Sequence, residues 1–210
     1  MQIVELRRAG HCANVSLLTG MHRLRRKVFK DRLDWSVAAT GDLETDYLDT
    51  QDATYLVVAD RGCVLGCVRL LPTTGPNMLA DTFSELLDDA AAPRSNLVAE
   101  SSRFCVDTEL TTTAKGGLRR ATFMLFAAML EWADARGLTS IATVTDLRME
   151  RILRRAGWSL QRLGKPRRIG STVAVAGLLP VENCALEAIR RNGDLAVPVL
   201  PIDVPLPMAA

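Results

Sequence analysis

Histidine, aromatic side chains and long apolar runs are all scarce in this 210-residue chain, and each scarcity removes a class of function. The two histidines, His11 and His22, stand at no metal-ligand spacing, and Cys63 and Cys67 do not make a CxxC pair. No metal centre is therefore expected. There is no G-x-S-x-G elbow, no Walker A loop and no dinucleotide fingerprint, so a serine-hydrolase site, a nucleotide-triphosphate site and a bound redox cofactor are not expected. The N-terminal Met1-Gln2-Ile3-Val4-Glu5-Leu6-Arg7-Arg8 has no apolar h-region. The longest weakly polar stretch, Ser171 to Val181, is too short to span a bilayer. Five scattered cysteines, an odd number, fit reduced thiols in the cytoplasm.

What is present is the composition of one globular domain over 1–210, 48% hydrophobic and 24% charged, with enough chain for a proper core. Apolar residues at helical spacing (Leu17, Leu18, Met21, Leu24, Val28) predict a helix over 14–30. Tyr55 to Asp60 and Val64 to Leu71, rich in β-formers around Arg61-Gly62, predict a hairpin. Met78 to Leu87 reads as a short helix and Leu97 to Val106 as a strand. Leu118 to Ala135 reads as a long central helix and Ser140 to Thr145 as a buried strand. Arg148 to Ala156 reads as a helix stopped by Gly157. Trp158 to Leu163 and Ile169 to Leu179 read as late strands, Asn183 to Arg191 as a last helix, and about 197–210 as a Pro-rich tail. Strands mixed with helices in this order predict an α/β fold, a three-layer α-β-α sandwich around a mixed sheet. Its ending, a strand, an Arg-rich helix, a glycine stop and a further strand, is that of N-acyltransferase (GNAT)-like folds by analogy.

Charge is placed where a core should be. Arg69, Glu100 and Arg103 interrupt segments that otherwise read as buried strands, and Arg25, Asp46 and Asp49 lie upstream of them. Three arginines and three carboxylates within the first half of the chain balance one another. An unpaired buried ion costs several kcal/mol, so such groups persist when they neutralise each other or bind a charged ligand. Two readings follow: a structural ion-pair network, or a pocket for a small zwitterion. A second charge feature lies downstream. Leu147 to Gly170 carries eight Arg or Lys residues and a single acid, Glu150, while the whole chain has a net charge of only +2. Arg148, Arg151 and Arg155 share one helical face there, which suits an acidic partner. No recognised nucleic-acid motif frames the patch, so nucleic acid is not the expected partner.

The motifs together resemble the LuxI-type acyl-homoserine-lactone synthases, the autoinducer synthases of quorum sensing. The matching residues are Leu24-Arg25 with Val28-Phe29-Lys30, then Arg32-Leu33-Asp34-Trp35, then Glu44 with Asp46 and Asp49. They continue through Gly66-Cys67, Arg69-Leu70-Leu71-Pro72-Thr73-Thr74-Gly75-Pro76 and Glu100-x-Ser102-Arg103-Phe104. The match is dense over 21–106 and fainter over 120–180. One departure is Asp46-Tyr47-Leu48-Asp49, where the family's aromatic residue stands one position early.

The resemblance implies a reaction: an acyl group passes from acyl-carrier protein to the amine of S-adenosylmethionine. The methionyl carboxylate then closes a lactone and expels 5′-methylthioadenosine. S-adenosylmethionine is then a substrate, and no cofactor is implied. Glu100 becomes the candidate base, through a water, with Arg69, Arg103 and Asp46 beside it in the catalytic set. The S-adenosylmethionine site would comprise Arg25, Phe29, Trp35, Asp46, Asp49 and Arg103. Asp46 and Asp49 would face the cationic groups, Phe29 and Trp35 would face the sulfonium, and Arg25, Arg69 and Arg103 compete for the substrate carboxylate. Ser102, Met124, Leu125, Thr143 and Thr145 would line the acyl pocket, with Met129 nearby on the long helix. The two threonines suit chains oxidised at carbon 3. Arg148, Arg151 and Arg155 would dock the acidic carrier protein. Gly116-Gly117, ahead of the long helix, faintly resembles an acyl-CoA phosphate loop. A CoA-dependent N-acyltransferase acting on another amine, and a sensor that binds a zwitterion without turnover, are the alternatives. Oligomeric state is left open.

Overall fold

The computed structural model describes residues 1–7, 14–35, 37–50, 52–114, 117–195 and 198–200. His11, Cys12, Lys115, Gly116 and most of the Pro-rich tail lie outside the described residues. An eight-stranded mixed sheet organises the chain, in the order β1-β4-β5-β6-β7-β10-β8, with β9 also paired to β10. The strands are β1 (Gln2–Leu6), β4 (Thr54–Asp60), β5 (Cys63–Pro72), β6 (Val98–Val106), β7 (Ser140–Asp146), β8 (Gln161–Arg162), β9 (Arg167–Ile169) and β10 (Thr172–Pro180). A separate two-residue hairpin is made by β2 (Ala39–Thr40) and β3 (Leu43–Glu44). All neighbours in the large sheet are antiparallel except β6 and β7.

Each face of the sheet carries helices. On one face lies α1 (Val15–Arg26), running directly into a π-helical turn, Lys27–Arg32. It packs Met21, Leu24, Val28 and Phe29 on Tyr55, Val57, Cys67, Leu71 and Cys105. The same face continues under α2 (Met78–Asp81), where Leu79 meets Ala142, Ala174 and Ala176. The opposite face is covered by α3 (Arg120–Asp134), α4 (Leu147–Ala156) and α5 (Asn183–Gly193). There Phe123, Leu125, Phe126 and Leu130 pack against Val58, Val68, Leu70, Ile141 and Leu179. This is the expected α/β three-layer sandwich.

The β4–β5 hairpin turns on Arg61 (φ +48°) and Gly62 (φ +82°), both left-handed, as a tight primed turn requires. Helix α4 is capped by Asp146, which accepts from Met149 N, and stops at Gly157 (φ +100°). Three expectations need correction. Met78 to Leu87 is not one helix: it is α2 followed by a separate 3-10 turn, Ser84–Leu87. Trp158 to Leu163 forms only the two-residue β8, because Trp158 is drawn into the core and its Nε1 donates to Pro180 O. The strand expected over 169–179 begins at Thr172, after a tight return from β9. Two pieces escape the sequence reading altogether, β1 and the β2–β3 hairpin.

Two irregularities in β6 position the site. Its parallel pairing with β7 runs only from Val98↔Ser140 to Ser101↔Thr143. Beyond that, Ser102–Val106 stays with β5 and Val144–Asp146 with β10, so the sheet splits. Just past the split the β5–β6 register shifts between Cys67 and Arg69, and Arg103 takes φ +54°. This is a β-bulge: Arg103 and Phe104 together oppose Val68. The extra residue breaks the strict alternation of faces. Glu100, Ser102 and Arg103 can therefore all point to the α1 side, while Phe104 turns to the α3 side against Phe126.

Candidate active site

Six ionised side chains converge on the α1 side of the sheet. Arg25, from the last turn of α1, is fully buried, as are Arg69 from β5 and Glu44 from β3. Asp46 and Asp49 come from the turn after β3, and Arg103 from the bulge. Arg25 Nε pairs with Glu44, and its two terminal nitrogens grip Asp49 at 2.7 and 2.9 Å. Arg69 Nη1 donates to Asp46 Oδ1 (2.5 Å) and Asp49 Oδ1 (2.9 Å), and its Nε donates to Ser102 Oγ (3.0 Å). Arg103 Nε reaches Glu44 at 3.0 Å, and its Nη2 lies 2.6 Å from Asp46 Oδ2. Tyr55 Oη donates to Asp49 Oδ1 (2.8 Å). The cage is formally neutral, three cations against three anions.

The residues that close this cage are not the set the sequence proposes. The third carboxylate is Glu44, not Glu100. Sequence matching picks out Glu44 but assigns it no place in the site, because nothing in the chain reveals that β3 folds back under α1. Tyr55 is missed for a similar reason: on a strand of buried apolar residues it reads as core.

Glu100 sits apart from the cage, one rung along β6 from Ser102 and opposite Leu71 of β5. Its carboxylate is buried and accepts from Met78 N (2.9 Å) and Leu79 N (2.6 Å) at the start of α2. Burial pushes the Glu100 carboxyl above the usual range, and the Leu79 and Met78 amides draw it back only in part. Asp49 is the reverse case. Burial raises it, but Arg25 and Arg69 outweigh burial and hold it well below the carboxylate range. Asp46 is likewise low, burial being outweighed by Arg69 and Arg103. The arginines thus lower two of these carboxyls, while burial raises the third.

Two cage atoms keep unused capacity among the described residues: Arg69 Nη2 and Asp46 Oδ2 have no hydrogen-bond partner of good geometry. One is a donor and the other an acceptor, a pair that a zwitterion would satisfy. The aromatic pair stands beside them. Phe29 and Trp35 stack with ring centroids 5.3 Å apart, and the Arg103 guanidinium lies 5.6 Å from the Phe29 ring centre. Phe29 is buried, whereas Trp35 is 38% exposed. The cation-accepting face still open to a ligand is therefore that of Trp35 rather than Phe29. The shifted aromatic also has an explanation: Leu48 fills the buried position before Asp49, and Tyr47 stands out in solvent, near Thr82 Oγ1.

The acyl-pocket residues separate into two groups. Met124, Leu125 and Met129 of α3 are buried on the opposite face of the sheet. Thr143 and Thr145 alternate with Ala142 and Val144 and so share that face with Ile141. Thr143 Oγ1 donates to Ser101 O (3.3 Å) across the last rung before the split. Ser102 does not join them; it faces the cage and holds Arg69. Arg148, Arg151 and Arg155 are exposed on α4, which starts directly from the end of β7. Elsewhere in the basic segment charge is partly neutralised: Arg162 grips Glu150 bidentately and Arg167 meets Asp88. A groove of about 500 Å³ along the outer side of α1, lined by Ser16, Arg23, Arg26, Asp42 and Cys63 among others, does not reach the cage. No group of His, Cys, Asp and Glu among the described residues is arranged to hold a metal ion. No described helix is long and apolar enough to cross a membrane.

Comparison with known proteins shows the family and the fold. The autoinducer synthase family model matches residues 11–189. An acyl-homoserine-lactone synthase of Agrobacterium fabrum is 47% identical over 185 residues, covering 87% of this chain and 88% of that protein. Among solved structures, TofI in a ternary complex with an inhibitor and MTA is 32% identical, with a TM-score of 0.74 over 90% of this chain and 96% of its own. BjaI, a CoA-dependent acyl-homoserine lactone synthase solved with SAM and isopentyl-CoA, superposes with a TM-score of 0.83 at 22% identity, over 92% of this chain and 90% of its own. An acyl-CoA N-acyltransferase from Pseudomonas aeruginosa shares the fold at a TM-score of 0.56 and 13% identity, over 84% of this chain and 97% of its own. The N-acyltransferase-like reading of the fold therefore holds.

Proposed function

The chain belongs to the autoinducer synthase family and is an acyl-homoserine-lactone synthase, and from that premise we propose that it acylates S-adenosylmethionine from an acyl-carrier protein. The observation that carries this reading is the neutral ion cage with one unpaired donor, Arg69 Nη2, and one under-used acceptor, Asp46 Oδ2. S-adenosylmethionine presents a carboxylate, an ammonium and a sulfonium, and the cage offers a partner to each. Arg69 takes the carboxylate, Asp46 the ammonium, and the open Trp35 face the sulfonium. A structure of the related TofI holds MTA, and one of BjaI holds SAM.

Chemistry on such a substrate needs its amine neutral. Glu100, with its carboxyl raised by burial, accepts the ammonium proton through a water. The amine attacks the thioester carbonyl, an amide forms and the carrier thiol leaves. The methionyl carboxylate then attacks its own γ-carbon, the C–S bond breaks, and the sulfonium departs with the bonding pair as the neutral thioether 5′-methylthioadenosine. Arg25 and Arg103 hold the carboxylates of the cage in place during both steps.

The acyl chain lies toward the split between β6 and β7, against Met124, Leu125, Thr143 and Thr145. Hydroxyls on Thr143 and Thr145 favour a 3-oxo or 3-hydroxy chain. The donor is assigned to the carrier protein rather than CoA because Arg148, Arg151 and Arg155 form an exposed basic face on α4, next to the split. The test is to incubate the purified chain with S-adenosylmethionine and either acyl-carrier protein or acyl-CoA thioesters of several lengths. Mass spectrometry then follows the lactone and 5′-methylthioadenosine. Lactone from the carrier-protein donor supports the reading. Lactone from CoA alone overturns the donor assignment, and methylthioadenosine release with neither donor overturns the substrate assignment.

A further inference from the structure

We propose that Tyr55 is a positioning residue of this reaction: its hydroxyl fixes Asp49, and Asp49 in turn fixes Arg69 and Arg25 against the substrate. The inference rests on S-adenosylmethionine being bound by the cage. Asp49 is the hub of that cage. Its Oδ1 receives Arg25 Nη1 (2.7 Å), Arg69 Nη1 (2.9 Å) and Tyr55 Oη (2.8 Å). Its Oδ2 receives Arg25 Nη2 (2.9 Å) and the backbone N of Asp46 (2.8 Å). A carboxylate offers about four lone-pair sites, so five donors leave Asp49 nothing with which to hold a ligand. Its contribution is geometric. It sets the guanidinium of Arg69, whose other terminal nitrogen is the unpaired donor, and it sets the turn that carries Asp46.

Asp49 cannot hold itself in place. It lies in the irregular segment between β3 and β4, outside any sheet ladder. Tyr55 does lie in a ladder, directly opposite Arg69 in the β4–β5 register, and its side chain is buried. It is braced edge-on by the His22 ring (6.4 Å between centroids), and His22 Nδ1 in turn meets the backbone oxygen of Glu44 at 2.8 Å. The Tyr55 hydroxyl thus joins Arg69 in tying Asp49 to the β4–β5 ladder. The ring of Tyr55 is core, and its oxygen donates to Asp49.

Tyr55→Phe keeps the ring and removes the oxygen, so it separates the two roles. In the full-length enzyme the KM for S-adenosylmethionine should rise about tenfold, the scale of one hydrogen bond to a charged group. The kcat should stay within about twofold, because the loss falls on ground-state binding and transition state alike. The KM for the acyl donor should not move. In an Asp49→Asn background the same substitution should cost almost nothing more, because the role proposed for the hydroxyl is exerted through Asp49. An unchanged KM for S-adenosylmethionine, a fall in kcat with KM intact, or fully additive losses in the double variant would each overturn the proposal. Should Asp49→Asn fail to fold, titration calorimetry of S-adenosylmethionine into Tyr55→Phe replaces the cycle: Kd weakened by the same factor supports the proposal, and Kd unchanged overturns it. Wild-type enzyme that neither binds nor consumes S-adenosylmethionine would instead sink the substrate assignment on which this rests.

Discussion

At the scale of single residues, the site separates carboxylates paired with arginines from one, Glu100, that accepts from backbone amides. Glu44 is fully buried between Arg25 and Arg103. Removing its charge leaves a surplus buried cation, which costs about 3–5 kcal/mol in systems of this kind. Glu44→Gln should therefore lower the urea midpoint sharply at neutral pH. Acid should act on the same network. Asp46 and Asp49 have folded pKa values below their ordinary ones, burial being outweighed by the arginines. The stability they contribute is complete above pH about 4 and is lost as pH falls toward the depressed folded values. Urea midpoints measured from pH 6 to pH 2 should decline across that acid window, and a flat profile would show that the cage adds no net stability. Glu100 has the opposite sign, since burial raises its folded pKa and its ionisation opposes folding. Glu100→Gln should accordingly cost less stability at neutral pH than Glu44→Gln. Its turnover, however, should fall by roughly 10²–10⁴-fold, as expected for loss of a general base. Full activity with intact folding would remove Glu100 from that role.

At the scale of elements, what the sequence reveals and what it hides follow from the range of the interactions. Helices α1, α3, α4 and α5 and the β4–β5 hairpin carry their own periodicity, turn glycine or cap, and they appear close to where they are expected. The β6 bulge does not, because an inserted residue in a strand leaves no local mark. It shows only as the register shift against β5 and the left-handed Arg103. That bulge is why Arg103 joins Ser102 on the cage side, while Ser102, expected in the acyl pocket, is placed there by simple alternation from Glu100 and holds Arg69. Strand β1 is hidden because it is an edge strand whose apolar residues, Ile3 and Leu6, do not alternate strictly. Close backbone contacts between elements are equally invisible in sequence. A Cβ on Gly164 would overlap the backbone oxygen of Leu86, where the β8–β9 connection crosses the 3-10 turn. A Cβ on Gly75 meets nothing within 4 Å. Gly164→Ala should cost about 1–3 kcal/mol through forced backbone movement, whereas Gly75→Ala should be near neutral. Thermal melts of the two variants side by side check this, and equal melting temperatures would mean that the 3-10 turn yields freely.

At the scale of the whole molecule, the sheet divides the chemistry. The cage and Glu100 lie on the α1 side, the α3 helix and the Thr143–Thr145 face on the other, and the split beyond Ser101 is where the two sides meet. On the proposed reading the acyl group is presented at that split, and α4 begins near it, straight from the end of β7. Its exposed face carries Arg148 and Arg151, while Glu150 is already engaged by Arg162. A docking surface of this kind works through long-range attraction. It raises the encounter rate with an acidic partner and fades as salt shortens the Debye length to about 8 Å at physiological ionic strength. Reversing both charges, Arg148→Glu with Arg151→Glu, should therefore raise the KM for the acyl-carrier protein by about tenfold or more at low salt. The difference from wild type should shrink as salt is added. The KM for S-adenosylmethionine should stay unchanged, because the cage lies on the far side of the sheet. Steady-state kinetics at several salt concentrations, with each substrate varied in turn, separates the outcomes. A uniform rise for both substrates points to a damaged fold. An unchanged carrier-protein KM means that the basic face is only solvated and that the donor approaches elsewhere.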